Sequence, residues 1–479
     1  MKRPLCLLTG LLLLLMIAAI AVPLALRLTP GIMVALDPPP PAPPPVTPAL
    51  QVPPTAVAVP DVVMPLSGSA PTPEPGVLGP QLDAALDIAG AGSFAGTVVD
   101  SADGRVLYDR EAGRLQAPAS NIKLLTAVAV MTFAQPGQTL TTSVLAAEAA
   151  PQALYLRGGG DVLLGSGVSD PDAVVGRAGL ATLAADTAAA LPESSGPYAV
   201  YLDDTLFVGA TLNPTWAAGD VEAGAIAPLH SLALNSAWLE EGRSGGPRSQ
   251  DAALDAARVF TAALVAAAGE RGITVDTEVQ RQAAPEDAEV LASAASAPLA
   301  EQMRWMLETS DNYLAEALAR IAASASGRPA SFGGATETLA AAAVRLGVPE
   351  EGLIVGDAAG LSVRNAVSPA QLAALVRGTT TSVEPGLAAV AGSLPVAGLT
   401  GTLTERFTAD DGPAAGGAGT VRAKTGTLNA VTGLTGHVVT ADGRLLVFSF
   451  LAAGLDGTTE EARAAADRAA AVLAGCGCR

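Results

Sequence analysis

At 479 residues, half of them apolar, the chain is long enough for two or three domains with cores of their own. Its 46 acidic and 27 basic side chains leave a formal net charge of −19, which excludes a nucleic-acid binder built on a basic face. Aromatic residues at 3%, two histidines and three cysteines are too few for base-stacking platforms, a zinc cluster or a disulfide framework.

Residues 1–28 begin with Lys2 and Arg3 and continue as an apolar run over 5–26, broken only by Thr9, Gly10 and Pro23. As a helix this run spans roughly 33 Å, enough for a hydrocarbon core. Ala19-Ile20-Ala21 also offers a small-x-small cleavage pattern. The segment is a signal peptide or a membrane anchor, and either places the bulk of the chain outside the cytoplasm. Residues 29–80 follow as a Pro-rich disordered linker, with 16 prolines between Pro38 and Pro80. Such a run favours polyproline II at about 3.1 Å per residue and acts as a semi-rigid stalk.

From Gln81 the pattern alternates helices and short strands. Residues 96–100 and 105–109 flank the turn signal Ser101-Ala102-Asp103-Gly104 and predict a hairpin. A helix starts near Pro118-Ala119, good first-turn residues, and runs to Phe133. Between 138 and 295 the spacing predicts strands at 153–157, 197–202 and 232–239 and helices at 171–190 and 251–270. Helices at 297–309 and 313–325 enclose Ser310-Asp311-Asn312, and two more follow at 333–346 and 368–378. The chain closes with a hairpin (420–427, 433–440), a strand at 445–452, a helix at 458–474 and Cys476-Gly477-Cys478, a tight pair for a disulfide.

The basic residues are 24 arginines and three lysines: Lys2, Lys123 and Lys424. A chain that uses arginine almost everywhere has a reason for each lysine it keeps. Lys123 lies three residues after Ser120, so hydroxyl and amine share one helix face. Serine is a weak nucleophile that needs a base, and a lysine can serve where burial or a second cation lowers its pKa. Lys424 opens Lys424-Thr425-Gly426-Thr427 in a β-pattern, where the glycine admits close backbone approach. Taken singly, these elements are a surface pair, a strand edge with a protective lysine and a helix cap at Ser310-Asp311-Asn312. Taken together they hold both lysines beyond the export segment.

Ser-x-x-Lys, Ser-x-Asn and Lys-Thr-Gly in this order resemble the penicilloyl-serine transferase superfamily of penicillin-binding proteins and serine β-lactamases. Within it, Pro118-Ala119-Ser120-Asn121-Ile122-Lys123, Asp357-Ala358-Ala359-Gly360-Leu361-Ser362 with Asn365, Leu394-Pro395-Val396-Ala397-Gly398 and Ala423-Lys424-Thr425-Gly426-Thr427-Leu428 are similar to the low-molecular-mass class C D-alanyl-D-alanine carboxypeptidase/endopeptidases, the DacB family. Ala358 departs where a glycine is usual.

The resemblance covers about residues 82–475 and implies an α+β fold, helices on an antiparallel sheet, split by an inserted mixed α/β region. The catalytic domain would comprise 81–139 and 296–479, with 140–295 inserted. It implies that Ser120 attacks the carbonyl between two D-alanines of a peptidoglycan stem peptide and that Lys123 takes its proton. Ser310 would relay a proton to the leaving amine and Asn312 would bind the substrate backbone. Lys424, Thr425 and Thr427 would meet the terminal carboxylate, with Gly426 between them, and the Ser120 and Thr427 amides would form an oxyanion hole. No cofactor or metal is called for, β-lactam antibiotics would acylate Ser120, and cleavage of cross-links stands open beside trimming.

Two rivals share the fold. A class A β-lactamase needs a deacylating glutamate, and Glu350-Glu351-Gly352-Leu353 comes near its pattern until Ile354 replaces the amide. A penicillin-sensing or wall-binding module without catalysis would carry a damaged box, and none is damaged. Gly242-Arg243-Ser244-Gly245-Gly246 matches a nucleophile elbow, yet Pro247 follows where a helix should open. His230 and His437 are expected to be structural or surface histidines.

Overall fold

The computed structural model describes residues 66–240, 242 and 245–477; the export segment, most of the Pro-rich stretch, Ser244 and Cys478 lie outside the described residues. Helix α1 (Pro75–Ala85) leads into strands β1 (Ser93–Asp100) and β2 (Val106–Arg110). A 3₁₀ turn (Ala119–Ile122) then runs straight into α2 (Lys123–Phe133). Strands β3 (Thr141–Ala147) and β4 (Ala150–Arg157), helix α3 (Leu180–Ala190), β5 (Tyr198–Asp203), α4 (Ala252–Gly269), β6 (Val275–Arg281) and β7 (Glu289–Ala295) follow. The remainder comprises α5 (Leu299–Thr309), α6 (Asn312–Ala325), α7 (Phe332–Arg345), α8 (Pro369–Thr380) and α9 (Pro385–Gly392). It ends with β8 (Arg422–Leu428), β9 (Val431–Val439), β10 (Leu445–Ala453) and α10 (Thr459–Gly475).

Two sheets result. The first has the order β2-β1-β10-β9-β8 and is antiparallel throughout, with Lys424 paired to Thr435 and Thr427 to Thr432. Its strands come from both ends of the chain, because β1 pairs with β10 over eight residue pairs. The second, β6-β5-β4-β3-β7, takes every strand from residues 141–295 and mixes parallel with antiparallel pairing. Helices α3 and α4 cover one face of it through Leu183, Phe260 and Leu264. Helix α4 is apolar and long enough to cross a membrane, and its apolar side is spent on this sheet.

Helix α2 is the hub of the helical layer. Every residue from Lys123 to Met131 is buried, and α5, α6, α7, α8 and α9 all touch it. A helix apolar all round has to be enclosed all round. On the other face of the first sheet, α10 packs against β9 and receives α1.

Four expectations need correction. The linker does not reach residue 80: the folded unit begins at Leu66, and α1 buries Leu78 and Leu82 completely. Proline content hid this helix, although Pro75 sits at its first turn, where its fixed φ and missing N–H cost nothing. The helix expected at 171–190 starts only at Leu180, because Gly176 takes φ +82° in the preceding turn. The strand expected at 232–239 is absent: Asn235, Ser236 and Ala237 take φ of 39°, 53° and 65° and curl the chain into a 3₁₀ turn. Finally, Ser120 lies in the 3₁₀ turn ahead of the α-helix proper. At the C-terminus Cys476 is buried and disulfide-bonded.

The first residues of the unit are tied down. The Arg444 guanidinium pairs with buried Asp100 at 2.7 Å and donates to the carbonyls of Gly68 and Ala70 at 3.2 and 3.3 Å. A protein starting at Leu66 should therefore keep the parent stability, whereas one starting at Gln81 should lose about 2–4 kcal/mol through the missing Leu78. Urea melts of the two truncations read this, and equal midpoints would remove α1 from the fold's core.

Candidate active site

Three remote segments converge at the N-terminal end of α2. Ser120 is half-buried, and its Oγ receives a hydrogen bond from Lys123 Nζ at 3.0 Å. The same Nζ donates to Asn312 Oδ1 at 2.7 Å and to the Ala359 carbonyl at 2.5 Å. The amine is fully buried and touches only neutral oxygens. Burial pulls its pKa down to about 8, with Arg248 in the same direction, against the distant charges of Asp357, Asp311 and Glu316. The helix dipole at its N-terminus likewise disfavours a cation there.

Lys424 is the second buried amine. It donates to Ser310 Oγ at 2.9 Å and to the Thr425 carbonyl at 2.8 Å. Burial, then the charges of Lys123 and Arg406, hold its pKa well below the ordinary lysine range. Thr425 Oγ1 donates to Thr402 Oγ1 at 2.8 Å, which ties the strand to Gly401-Thr402-Leu403. Thr427 is exposed at the mouth.

Backbone geometry brings these parts together. Ser310 caps α5 in the left-handed region (φ 59°), and Asp311 caps α6 by accepting from the amides of Tyr313 and Leu314. That reversal aims Ser310 at one lysine and Asn312 at the other. Asn312 Nδ2 donates to the Ala225 carbonyl at 2.9 Å, which fixes the amide so that Oδ1 faces Lys123. The loop carrying Ala359 is folded on Asp357, whose carboxylate accepts from the amides of Gly360, Leu361 and Ser362, from Asn365 Nδ2 and from Trp216 Nε1. Gly360 (φ +95°) lies so close that a Cβ would stand 2.2 Å from the Ala119 carbonyl oxygen. A Cβ on Gly426 would stand 2.6 Å from Asn121 Nδ2 and 2.8 Å from the Pro118 carbonyl. The serine turn is thus gripped between two glycines, and Ala119 inside it takes φ 48°.

Two cavities flank Asn312. One of about 900 Å³ is lined by Ser120, Leu361, Thr427 and residues 454–457. The other, about 450 Å³, is lined by Ser310, Thr402, Arg248, Trp238 and Trp305. Of the expected site residues, Ser120, Ser310, Asn312 and Thr427 line these cavities, while Lys123, Lys424, Thr425 and Gly426 do not. Lys123 bonds to Ser120 and Asn312, and Lys424 to Ser310. Glu350 and Glu351 are exposed and line neither cavity. His437 is half-buried with Nε2 against the Ala391 carbonyl and desolvation lowers its pKa, while His230 meets Asp204 at 3.2 Å. Sequence reasoning missed the Ala225 and Ala359 carbonyls, which carry no side-chain signal, and Glu316, one helical turn after Asn312.

Ser120, two buried amines and the Ser310 hydroxyl meet beside an open groove, the side-chain set that the resemblance to penicillin-binding proteins implies. The family model for D-Ala-D-Ala carboxypeptidase 3 (S13) matches residues 79–244 and 240–474, and the chain belongs to that family. It is 34% identical to Carboxypeptidase DacB of Mycolicibacterium smegmatis over 440 residues, 92% of this chain and 90% of that one. It is 30% identical to the D-alanyl-D-alanine carboxypeptidase of an Actinomadura species, over 78% of this chain and 81% of the relative. The fold matches penicillin-binding protein 4 (dacB) of Haemophilus influenzae at a TM-score of 0.63 and 20% identity, over 81% of this chain and 97% of that one.

The glycine contacts make a direct test. Gly360→Ala and Gly426→Ala should each push the serine turn aside and slow acylation by labelled penicillin on the order of a hundredfold, the usual effect of a 1 Å displacement. Gly137→Ala, with open space around its Cβ position, should acylate like the parent. Parent rates in folded Gly360→Ala would show that the close approach does not position Ser120.

Proposed function

We propose that Ser120 is the nucleophile and Lys123 the general base of this serine-type D-Ala-D-Ala carboxypeptidase. Ser120 Oγ bonds to the carbonyl carbon of the penultimate D-alanine as its proton passes to Lys123 Nζ. The C–N bond then breaks, and terminal D-alanine leaves with a proton relayed through Ser310. Water afterwards releases the shortened stem peptide and restores the hydroxyl. The reading rests on one observation above all: a fully buried amine 3.0 Å from the serine oxygen, with its pKa brought down to about 8.

Lys424 supplies positive charge for the substrate's carboxylate, with Thr425 and Thr427 beside it and Gly426 allowing the strand to lie against the serine turn. Asn312 Nδ2 carries a second N–H for the substrate backbone, and the Ser120 and Thr427 amides serve the oxyanion. β-Lactams enter the same step as acylating inhibitors; the Haemophilus influenzae protein has been solved with one bound. The enzyme acts outside the cytoplasm, and we take residues 1–28 as the export signal or membrane tether. Residues 66–139 and 296–477 form the catalytic part in this reading, with 140–295 inserted between them.

A base must be neutral to accept a proton, so acylation should rise with pH, with a midpoint near 8, and level off above it. Lys123→Arg keeps the charge but cannot give up its proton, and should lose acylation and D-alanine release together by on the order of a thousandfold. Rates with labelled penicillin and circular dichroism read both. A folded Lys123→Arg that acylates like the parent would end the mechanism.

A further inference from the structure

Helix α6 presents Asn312 and Glu316 four residues apart, on one face. Asn312 touches Lys123 directly. Glu316 reaches it through the neighbouring loop: its Oε1 accepts from the amides of both Ala358 and Ala359 at 2.8 Å. The carbonyls of those same two residues receive the α2 side chains, Ala358 from Thr126 Oγ1 at 2.9 Å and Ala359 from Lys123 Nζ at 2.5 Å. Glu316 therefore holds the Ala358–Ala359 peptide at its N–H while Thr126 holds the other end. It fixes the N–H side of Ala359, whose carbonyl, in the next peptide, accepts from the base; the N–H of that next peptide, on Gly360, is held by Asp357. Glu316 is 1% exposed, and its Oε2 has no partner among the described residues. A purely structural acceptor needs no charge in such a place. Glutamine would make the same two bonds without the cost of burying an acid.

We infer that Glu316 is a positioning residue for the reaction: it fixes the carbonyl that accepts from Lys123, and its ionisation governs how readily that lysine gives up its proton. The inference rests on Lys123 as the base.

Burial, with Asp357 nearby, pushes the Glu316 carboxyl up to about 8, against its two amide bonds and Arg320. Lys123 lies in the same range and feels Asp357, Asp311, Glu316 and Arg248, with Lys424 coupled to it. A charge on Glu316 is felt at Lys123 and raises its pKa, ranking behind those of Asp357 and Asp311. As pH rises, a proton lost from Glu316 leaves a negative charge that retains the proton on Lys123. Removing that charge while keeping the hydrogen bonds frees the amine at lower pH.

The test is the pH profile of acylation by labelled penicillin in the full chain, parent against Glu316→Gln and Glu316→Ala. Glu316→Gln should move the midpoint to lower pH by about half a unit to one unit. Glu316→Ala unpins the loop and should lower the rate at every pH by on the order of a hundredfold. A Glu316→Gln midpoint equal to the parent's, or a folded Glu316→Ala with the parent's rates, overturns the inference. A parent with no limb near pH 8 would instead overturn Lys123 as the base, so the two failures are told apart. A structural role alone would lower thermal stability and leave the midpoint in place.

Discussion

The whole arrangement depends on keeping an amine dry beside a serine. Removing an ammonium from water costs on the order of several kcal/mol, and proteins ordinarily recover this with a contacting carboxylate. Here the three groups touching Lys123 Nζ are a hydroxyl, a side-chain amide and a peptide carbonyl. Each satisfies a donor; none binds the proton strongly. The carboxylates of Asp357 and Asp311 stand back, the first engaged with the Gly360, Leu361 and Ser362 amides and the second with the cap of α6. Their charges are felt at a distance and offset part of the desolvation. A direct ion pair would instead fix the proton and leave the serine without a base.

That requirement explains why the site draws on segments far apart in the chain. Shielding the amine takes a cover on every side: the serine turn, the α5–α6 reversal and the 357–362 loop. The serine turn is approached closer than ordinary side chains permit from two sides, by Gly360 and by Gly426. The insertion belongs to this enclosure as well. Its Ala225 carbonyl orients Asn312, and Arg248 lies over Trp238 while pairing with Asp311 at 3.6 Å. Residues 140–295 thus set the direction of Asn312, and their Asp220 and Ala225 line the same cavity as Ser120.

The chemistry was legible in the sequence because it rests on side chains with few substitutes. Lysine scarcity singled out Lys123 and Lys424, and the i, i+3 spacing of Ser120 and Lys123 held even though the turn is 3₁₀. The first sheet was legible too, since the hairpin expected at 420–427 and 433–440 and the strand at 445–452 fall on Arg422–Leu428, Val431–Val439 and Leu445–Ala453. What stayed hidden depends on tertiary context. Strands β6 and β7 are edge strands with exposed, polar or alanine-rich faces and carry little period-two signal. Helix α1 was masked by proline, and the chain's turn at 235–237 by an apolar alternation that left-handed residues interrupt. Carbonyl partners such as Ala359 have no sequence signature at all.

The second lysine is best understood through the substrate it would meet. Without substrate, Lys424 sits among neutral oxygens near another amine, and burial together with that neighbour disfavours its charge. A substrate ending in a carboxylate reverses the balance. The incoming negative charge stabilises the ammonium in a low-dielectric slot, where the attraction is far stronger than in water. In the proposed mechanism a proton held on Lys424 would repel one on Lys123, so a carboxylate bound beside Lys424 would favour the neutral base on the serine side. Substrate carrying the correct terminus would in this way promote its own attack, and a peptide amide in the same groove would not. Two buried lysines whose charges are felt at one another, neither ion-paired by contact among the described residues, are what such coupling requires; arginine, which stays charged at both positions, cannot take part in it.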